Sequence, residues 1–231
     1  MIYLAGDIHG GYEIYKVIQF FEKESRARTL TKDDYLILLG DVGLYWDGAE
    51  KDKYVADTLN ELPVTVLWID GNHENFSLLD ELPISDWNGG KVQFTGDKII
   101  RLMRGQVYDI CDKKIFSFGG GFSIDKEYRV ENETWWSREM PCDEEYRTGK
   151  ETLLHYNNQV DYIITHTVPG SLVSKLVKTQ IEGEEQLQNY FQEIAETVSF
   201  EKWFFGHWHK DVNLCNGKFI GLYDKIVRLD V

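Results

Sequence analysis

The chain has 231 residues, 42% hydrophobic and 28% charged, which is typical of a globular protein rather than a disordered one. Its 39 acidic and 25 basic side chains give a net charge of −14, which excludes a protein that coats DNA or RNA. No apolar run is long enough to cross a membrane. Three widely spaced cysteines without a CxxC pair, and an N-terminus that does not resemble a signal peptide, predict a cytoplasmic protein.

The first third of the chain alternates predicted strands and helices. Apolar runs at residues 2–5, 35–39 and 64–69 predict three buried strands, each followed within two residues by a glycine. Between them, residues 10–28 and 49–62 carry apolar side chains at helical spacing. The order strand, helix, strand, helix, strand predicts parallel βαβ units.

The rhythm changes from about residue 91. Short alternating strands follow over 98–118, with a hairpin turn expected at Asp112–Lys114. The polar, aromatic-rich segment of about 122–147 has no clean period and predicts an ordered insert or cap. The remaining expected elements are helices at 150–159, 171–179 and 184–198, strands at 160–165 and 202–205, and a tail hairpin around Asn216–Gly217. With no repeat or linker, residues 1–231 are expected to form a single domain.

Residue types that bind metals follow the predicted strands directly. In parallel α/β sheets, ligands bind at the carboxyl ends of the strands, so these residues are expected to converge. Pairs two residues apart would face the same side if the chain stays extended. The sequences concerned are Gly6-Asp7-Ile8-His9, Gly40-Asp41, Gly71-Asn72-His73-Glu74, His166 after YIIT, and Gly206-His207-Trp208-His209.

The ordered set GDIHG, GDVG, GNHE, a lone histidine and GHWH resembles the calcineurin-like metallophosphoesterase superfamily over residues 6–209. The resemblance implies an α/β/β/α sandwich of two mixed sheets flanked by helices, with a dinuclear metal site at the strand ends. It also implies a role for each residue. Asp7, His9 and His209 would hold one metal ion, and Asn72, His166 and His207 the second. Asp41 would bridge both ions, and His73 would stand near the leaving group.

This ligand set suits phosphate ester hydrolysis. Two divalent ions bring four positive charges, of which Asp7, Asp41 and a bridging hydroxide remove three, leaving a site that attracts phosphate. Imidazole with carboxylate favours Mn²⁺, with Fe, Zn, Co or Ni as alternatives. The hydroxide would attack phosphorus, Asp41 would hold both ions in place, and His73 is the candidate general acid.

Three positions depart from the patterns of the family and of its protein-phosphatase branch. Leu44 replaces an aspartate that orients the general-acid histidine in many members, and Tyr45 replaces an arginine. Asp70 also stands where that branch carries arginine. These changes weaken the interpretation as a Ser/Thr protein phosphatase. Asp47 is a candidate replacement for the orienting carboxylate, although a surface acid is the simpler interpretation.

Other side chains have two interpretations each. The candidates for gripping phosphate, which could equally be solvated surface groups, are Arg104, Arg129 and Arg138. The aromatic residues of the insert, Tyr128, Trp135 and Trp136, could stack on a nucleobase or anchor the insert to the sandwich. Glu74 is expected to support its loop by hydrogen bonds. His155 lies outside every motif.

The sequence therefore predicts a metallophosphoesterase that acts on a phosphate mono- or diester, either a small molecule or a nucleotide. A nucleotide or dinucleoside polyphosphate hydrolase and a Ser/Thr protein phosphatase are the alternatives within the enzyme class. A protein-binding scaffold without catalysis is the alternative outside it. No GxGxxG follows the first strand and no GxxxxGK[ST] is present, which argues against a dinucleotide-dependent enzyme and a P-loop NTPase.

Overall fold

The computed structural model describes residues 1–24, 29–46, 50–178 and 182–229. Thirteen strands and six helices lie within these ranges. The strands are β1 Ile2–Ala5, β2 Tyr35–Leu39, β3 Thr65–Ile69, β4 Ile84–Trp87, β5 Gly90–Phe94, β6 Ile99–Leu102, β7 Gln106–Ile110, β8 Lys113–Phe118, β9 Tyr162–Thr165, β10 Lys202–Phe205, β11 Val212–Leu214, β12 Phe219–Gly221 and β13 Val227–Leu229. The helices are α1 Tyr15–Lys23, α2 Glu50–Glu61, α3 Phe76–Asp80, α4 Asp143–His155, α5 Gly170–Leu176 and α6 Glu185–Thr197.

The strands form two mixed sheets. The first has the order β13-β1-β2-β3-β6-β5-β4, with β1, β2, β3 and β6 parallel to one another. The second has the order β11-β12-β10-β9-β8-β7, with β12, β10, β9 and β8 parallel. Antiparallel strands close both edges of each sheet. The parallel strands β1, β2 and β3 of the first sheet match the predicted βαβ units.

Three apolar layers hold the sheets and helices together. Alternate residues of β1 separate them, since Ile2 and Leu4 pack between the two sheets while Tyr3 packs outward against α1. Residues of α1 and α2 cover the outer face of the first sheet. Residues of α5 and α6 cover the outer face of the second. The layer order is α/β/β/α, as the resemblance implied.

Most predicted elements are confirmed, with shifted boundaries. The helix predicted over 10–28 begins at Tyr15, after a 3-10 turn at Gly10–Tyr12, and residues 25–28 lie outside the described ranges. The hairpin between β7 and β8 turns at Cys111 and Asp112, both at positive φ, because a two-residue turn of this kind matches the twist of the strands. Lys113 and Lys114 therefore belong to β8 rather than to the turn. Helix α4 begins at Asp143, seven residues before the predicted start, because Glu145 accepts from the Cys142 backbone N–H in a capping box.

The predicted insert is ordered by short elements. It contains two 3-10 turns, at Lys126–Tyr128 and Ser137–Glu139, before α4 begins. The side chain of Ser123 donates to Glu139, and the ring nitrogen of Trp136 donates to Ser77 of α3. These contacts hold the insert against the sandwich. Among the described residues, no helix is both long and apolar enough to span a bilayer.

Candidate metal centre

The predicted ligands converge at one edge that both sheets share. Asp7, Asp41 and Asn72 follow β1, β2 and β3 of the first sheet. His166 and His207 follow β9 and β10 of the second. Because these strands are parallel neighbours within each sheet, their carboxyl ends lie side by side. The sandwich therefore brings residues up to 202 positions apart, from Asp7 to His209, into one cluster.

Several of these side chains are oriented by residues in the left-handed backbone conformation, not by an extended backbone. Four site residues have positive φ: His9 at 41°, Asp41 at 50°, His207 at 64° and His209 at 47°. Each such residue costs of order 1–2 kcal/mol, a strain typical of functional sites. The predicted alternation over Asp7-Ile8-His9 and His207-Trp208-His209 is therefore wrong in its geometry.

Glycine lets the loops approach one another closely. A Cβ on Gly71 would lie 2.2 Å from Oδ1 of Asp41, and one on Gly40, whose φ is 95°, would lie 2.2 Å from Nδ1 of His166. No side chain fits at either position.

Asp7 and His209 form the first group of donor atoms with His9. The Oδ2 atom of Asp7 lies 3.1 Å from Nε2 of His209, and one donor atom from each of the three residues lies within 4.8 Å of the others. Nitrogen and oxygen ligands about 2.0–2.2 Å from one ion lie roughly 3.0–3.5 Å apart. The distance between Asp7 and His209 falls in this range, and His9 lies close enough to join them as a third donor.

Asp41 stands at the centre of the site. Its Oδ2 atom lies 3.5 Å from Nε2 of His166, 3.6 Å from Nε2 of His9 and 4.0 Å from Nε2 of His73. Its Oδ1 atom accepts the backbone N–H of His73. A carboxylate that faces histidines on two sides is placed as a bridging ligand would be.

Asn72, His166 and His207 lie on the other side of Asp41. The amide nitrogen of Asn72 donates to Ser123, which directs its Oδ1 atom to Nε2 of His166 at 3.1 Å. The ring of His207 lies 4.8 Å from that of His166. The three residues predicted for the second ion are thus adjacent.

The ring nitrogens support this use of the histidines. Nδ1 of His9 faces Glu13 at 2.8 Å, and Nδ1 of His166 faces the carbonyl of Leu39 at 2.7 Å. Both partners accept, so each ring donates Nδ1–H and presents Nε2 to the cluster. Histidine ligands of metals are held in this way by carboxylates and carbonyls. Because Nε2 of both rings is directed to the cluster, these residues can bind divalent ions.

The electrostatics of the cluster favour positive charge. Burial would lower the pKa of His166, but Asp41 and Asp7 outweigh it and raise that pKa to about 10. Burial opposes the protonation of His9 as well, yet Asp41 and Glu13 raise the pKa of its ring to about 9. Without a bound cation, the negative charge of the carboxylates is therefore balanced by protons on these two histidines.

His73 has a different neighbour from the one expected. Its Nδ1 atom lies 3.1 Å from Nη1 of Arg129, which comes from the insert. Leu44, which replaces the usual aspartate, is buried in the apolar layer beside the first sheet. Asp47 lies outside the described residues. An arginine therefore contacts the ring where a carboxylate was anticipated.

Neither interpretation of Arg104 is correct. Its side chain is 1% exposed and donates to Asp70, Glu145 and the carbonyl oxygens of Arg138 and Glu139. Asp70 attracts Arg104 into the interior, since a buried carboxylate needs a paired cation. Arg138 forms ion pairs with Glu145 and Asp80 and stays at the surface.

Two glutamates that the motifs did not single out support the site. Glu13 lies one helical turn after His9 and accepts from its ring. The Oε1 atom of Glu184 is fully buried 3.5 Å from Nε2 of His207. The i,i+4 spacing of His9 and Glu13 could have revealed the first, but no local signal marks Glu184. Glu74 supports its loop as expected, because it accepts the backbone N–H groups of Val42 and Gly71.

A cleft of about 560 Å³ opens beside His9, His73 and His209. Trp46, Trp136 and Tyr223 supply its aromatic walls. Trp136 anchors the insert, as one of its two interpretations had it, and it also lines the cleft. Tyr128 is 91% exposed and contributes to neither. Trp135 lies beside Lys126 within the insert.

The profile of the calcineurin-like phosphoesterase family matches residues 1–211. The chain belongs to this family. The family implies a dinuclear divalent metal site, which the aspartates and histidines of this chain can form. None of the curated proteins compared with the chain matches it.

Two solved structures share the fold. A Staphylococcus aureus protein described as a putative 5′-nucleotidase, in complex with α-ketoglutarate, has 12% identity and a TM-score of 0.57. The match covers 99% of this chain but 51% of that one, so this chain spans about half its length. The protein TT1561 of Thermus thermophilus has 12% identity and a TM-score of 0.50 over 96% of this chain and 87% of that one.

Proposed function

We propose that this protein hydrolyses a phosphate mono- or diester with two divalent ions, Mn²⁺ foremost, held by the predicted ligands. Asp7, His9 and His209 would hold one ion, Asn72, His166 and His207 the other, and Asp41 both. Bound there, the ions would lower the pKa of water to near neutrality and neutralise the phosphoryl oxygens. The observation that carries this proposal is the orientation of His9 and His166, whose Nε2 atoms face Asp41 while their Nδ1 atoms are engaged elsewhere.

The side chains around the ions would divide the remaining work. Asp41 would bind both ions and hold them in place. His73 faces the same carboxylate from the side of the cleft, and its Nε2 atom would act on the leaving oxygen. The aromatic walls of the cleft favour an ester whose organic part carries a flat ring, as a nucleotide does. This supports a nucleotide substrate over a phosphoprotein.

The test compares p-nitrophenyl phosphate with bis-p-nitrophenyl phosphate, using metal-stripped protein with and without added Mn²⁺. We expect turnover that needs the metal, two ions bound per chain by elemental analysis, and a loss of at least about 100-fold in His209→Gln. His155→Gln is the matched control, because His155 lies on α4 outside the site. Bound metal without turnover of either ester would favour the scaffold, and equal rates with and without metal would refute the mechanism.

A further inference from the structure

Arg129 makes His73 unlike the histidines that face the ions. The outward nitrogens of His9 and His166 contact acceptors, whereas the outward nitrogen of His73 contacts a guanidinium. A guanidinium has five N–H donors and no acceptor. Nδ1 of His73 must therefore accept, and the proton of its ring lies on Nε2. His73 thus presents an N–H to the site where His9 and His166 can present lone pairs.

The guanidinium is held independently of His73. Nη2 of Arg129 donates to Asp125 at 2.7 Å, and Nη1 also donates to the carbonyl of Thr134 at 3.1 Å. Both partners belong to the insert, which is itself fixed to the sandwich through Trp136. Arg129 is therefore a preset donor that reaches the ring from a separate part of the chain.

We propose that Arg129 is a positioning residue that holds His73 as its Nε2–H tautomer, so that His73 gives a hydrogen bond to the leaving oxygen instead of a proton. This inference rests on the proposed function. A hydroxide oxygen, formed by loss of one water proton to solvent, makes the new bond to phosphorus. The bond from phosphorus to the leaving oxygen breaks, and that oxygen departs with the electron pair as an anion hydrogen-bonded to Nε2–H.

The substrate class follows from the protons available to His73. Transfer of the Nε2 proton would leave an imidazolate, and Arg129 cannot resupply a proton because guanidinium does not deprotonate in proteins. The leaving group must then be weakly basic. Phosphoric anhydrides, whose leaving group is a phosphate, and phenolic esters meet this condition. Alkyl esters, which leave as alkoxides, do not.

The tautomer can be measured without activity. Long-range ¹H–¹⁵N NMR spectra of the full chain labelled at histidine, metal-free and loaded with Zn²⁺, distinguish Nδ1–H from Nε2–H. The His73 signals are those lost in His73→Gln. We expect Nε2–H in the wild type and in Lys126→Met, which removes one charge from the same insert, but a mixture of tautomers in Arg129→Met. A wild-type Nδ1–H, or an unchanged spectrum in Arg129→Met, would overturn the proposal.

Kinetics test the leaving-group preference with Mn²⁺ and diesters that release p-nitrophenol, phenol or methanol. Because a full general acid is worth about 10²–10⁴-fold, kcat/KM should fall by at least about 100-fold from the two phenolic esters to the methyl ester. Arg129→Met should lower kcat about 10–100-fold, as loss of an orienting partner does, with KM nearly unchanged and partial recovery in Arg129→Lys.

Equal rates across the three leaving groups, or an effect of Arg129→Met on KM alone, would contradict the proposal. A wild-type enzyme that binds metal but hydrolyses none of the esters would instead refute the proposed function. The NMR spectra would still decide whether Arg129 fixes the tautomer of His73.

Discussion

Asp70 is the centre of a buried ion network, and Asp70→Asn is expected to destabilise the protein strongly. The carboxylate is fully buried and accepts from Nη2 of Arg101 at 2.7 Å and from Nε of Arg104 at 2.8 Å. Neither arginine side chain is more than 4% exposed. Removing the carboxylate charge would leave two buried cations without their shared partner.

The magnitude follows from the pKa of Asp70. Burial alone would raise it, but Arg104 and Arg101 outweigh burial and lower it from 3.8 to about 2. At 1.36 kcal/mol per pKa unit, this difference corresponds to about 2 kcal/mol of stability near neutral pH. Uncompensated buried charges after the loss of one partner bring the usual cost to about 3–5 kcal/mol. Since Arg104 keeps Glu145 at 3.1 Å, we expect about 3 kcal/mol, or roughly 6–12 °C in Tm.

Urea unfolding of metal-free protein, followed by circular dichroism, measures this difference. Asp80→Asn is the matched control, because Asp80 is 53% exposed and lies 3.6 Å from Arg138, so its loss should cost less than about 0.5 kcal/mol. The pKa of Asp70 is lowered in the fold, so its stabilisation is present above its ordinary pKa of 3.8 and is lost as the pH falls through about 2. The gap between wild type and Asp70→Asn should therefore narrow over that range. A gap below about 1 kcal/mol at pH 7, or one that stays constant on acidification, would refute the reasoning.

Two further substitutions test the metal centre itself. Gly71→Ala should abolish high-affinity binding of Mn²⁺, because the new Cβ would lie 2.2 Å from Oδ1 and 2.6 Å from the backbone nitrogen of Asp41, whereas Gly170→Ala, with no atom closer than 3.6 Å, should bind normally in calorimetric titration. Equal affinities would show that the loops can move apart. Glu184→Gln should weaken metal binding by about 10–100-fold while leaving secondary structure unchanged, because the buried carboxylate beside His207 is lost but its volume is kept. Wild-type affinity would mean that Glu184 serves packing alone.

Sequence patterns predicted the parallel strands and grouped the candidate ligands, whereas the two-sheet layout came from the family resemblance and β4 and β5 were not predicted. Apolar runs and helical spacing sufficed for the parallel strands, because their periods depend on neighbouring residues. Each candidate ligand directly follows a strand, and the ends of parallel strands must meet. Asp7, Asp41 and His166 could therefore be grouped before any contact was known. Where local reasoning failed, as at the start of α4, a capping contact at Cys142 and Glu145 decided the boundary.

The surroundings of these ligands depend on contacts between distant parts of the chain. Arg129 reaches His73 across 56 residues, and Asp70 reaches Arg104 across 34. Such contacts have no spacing rule, because they depend on how the insert packs against the sandwich. Arg104, a candidate phosphate-binding residue in the sequence, is buried and pairs with Asp70. His73 differs from the other histidines because its Nδ1 atom contacts Arg129. Strand order determines where the candidate ligands meet, whereas packing determines which nitrogen of each histidine ring faces a donor or an acceptor.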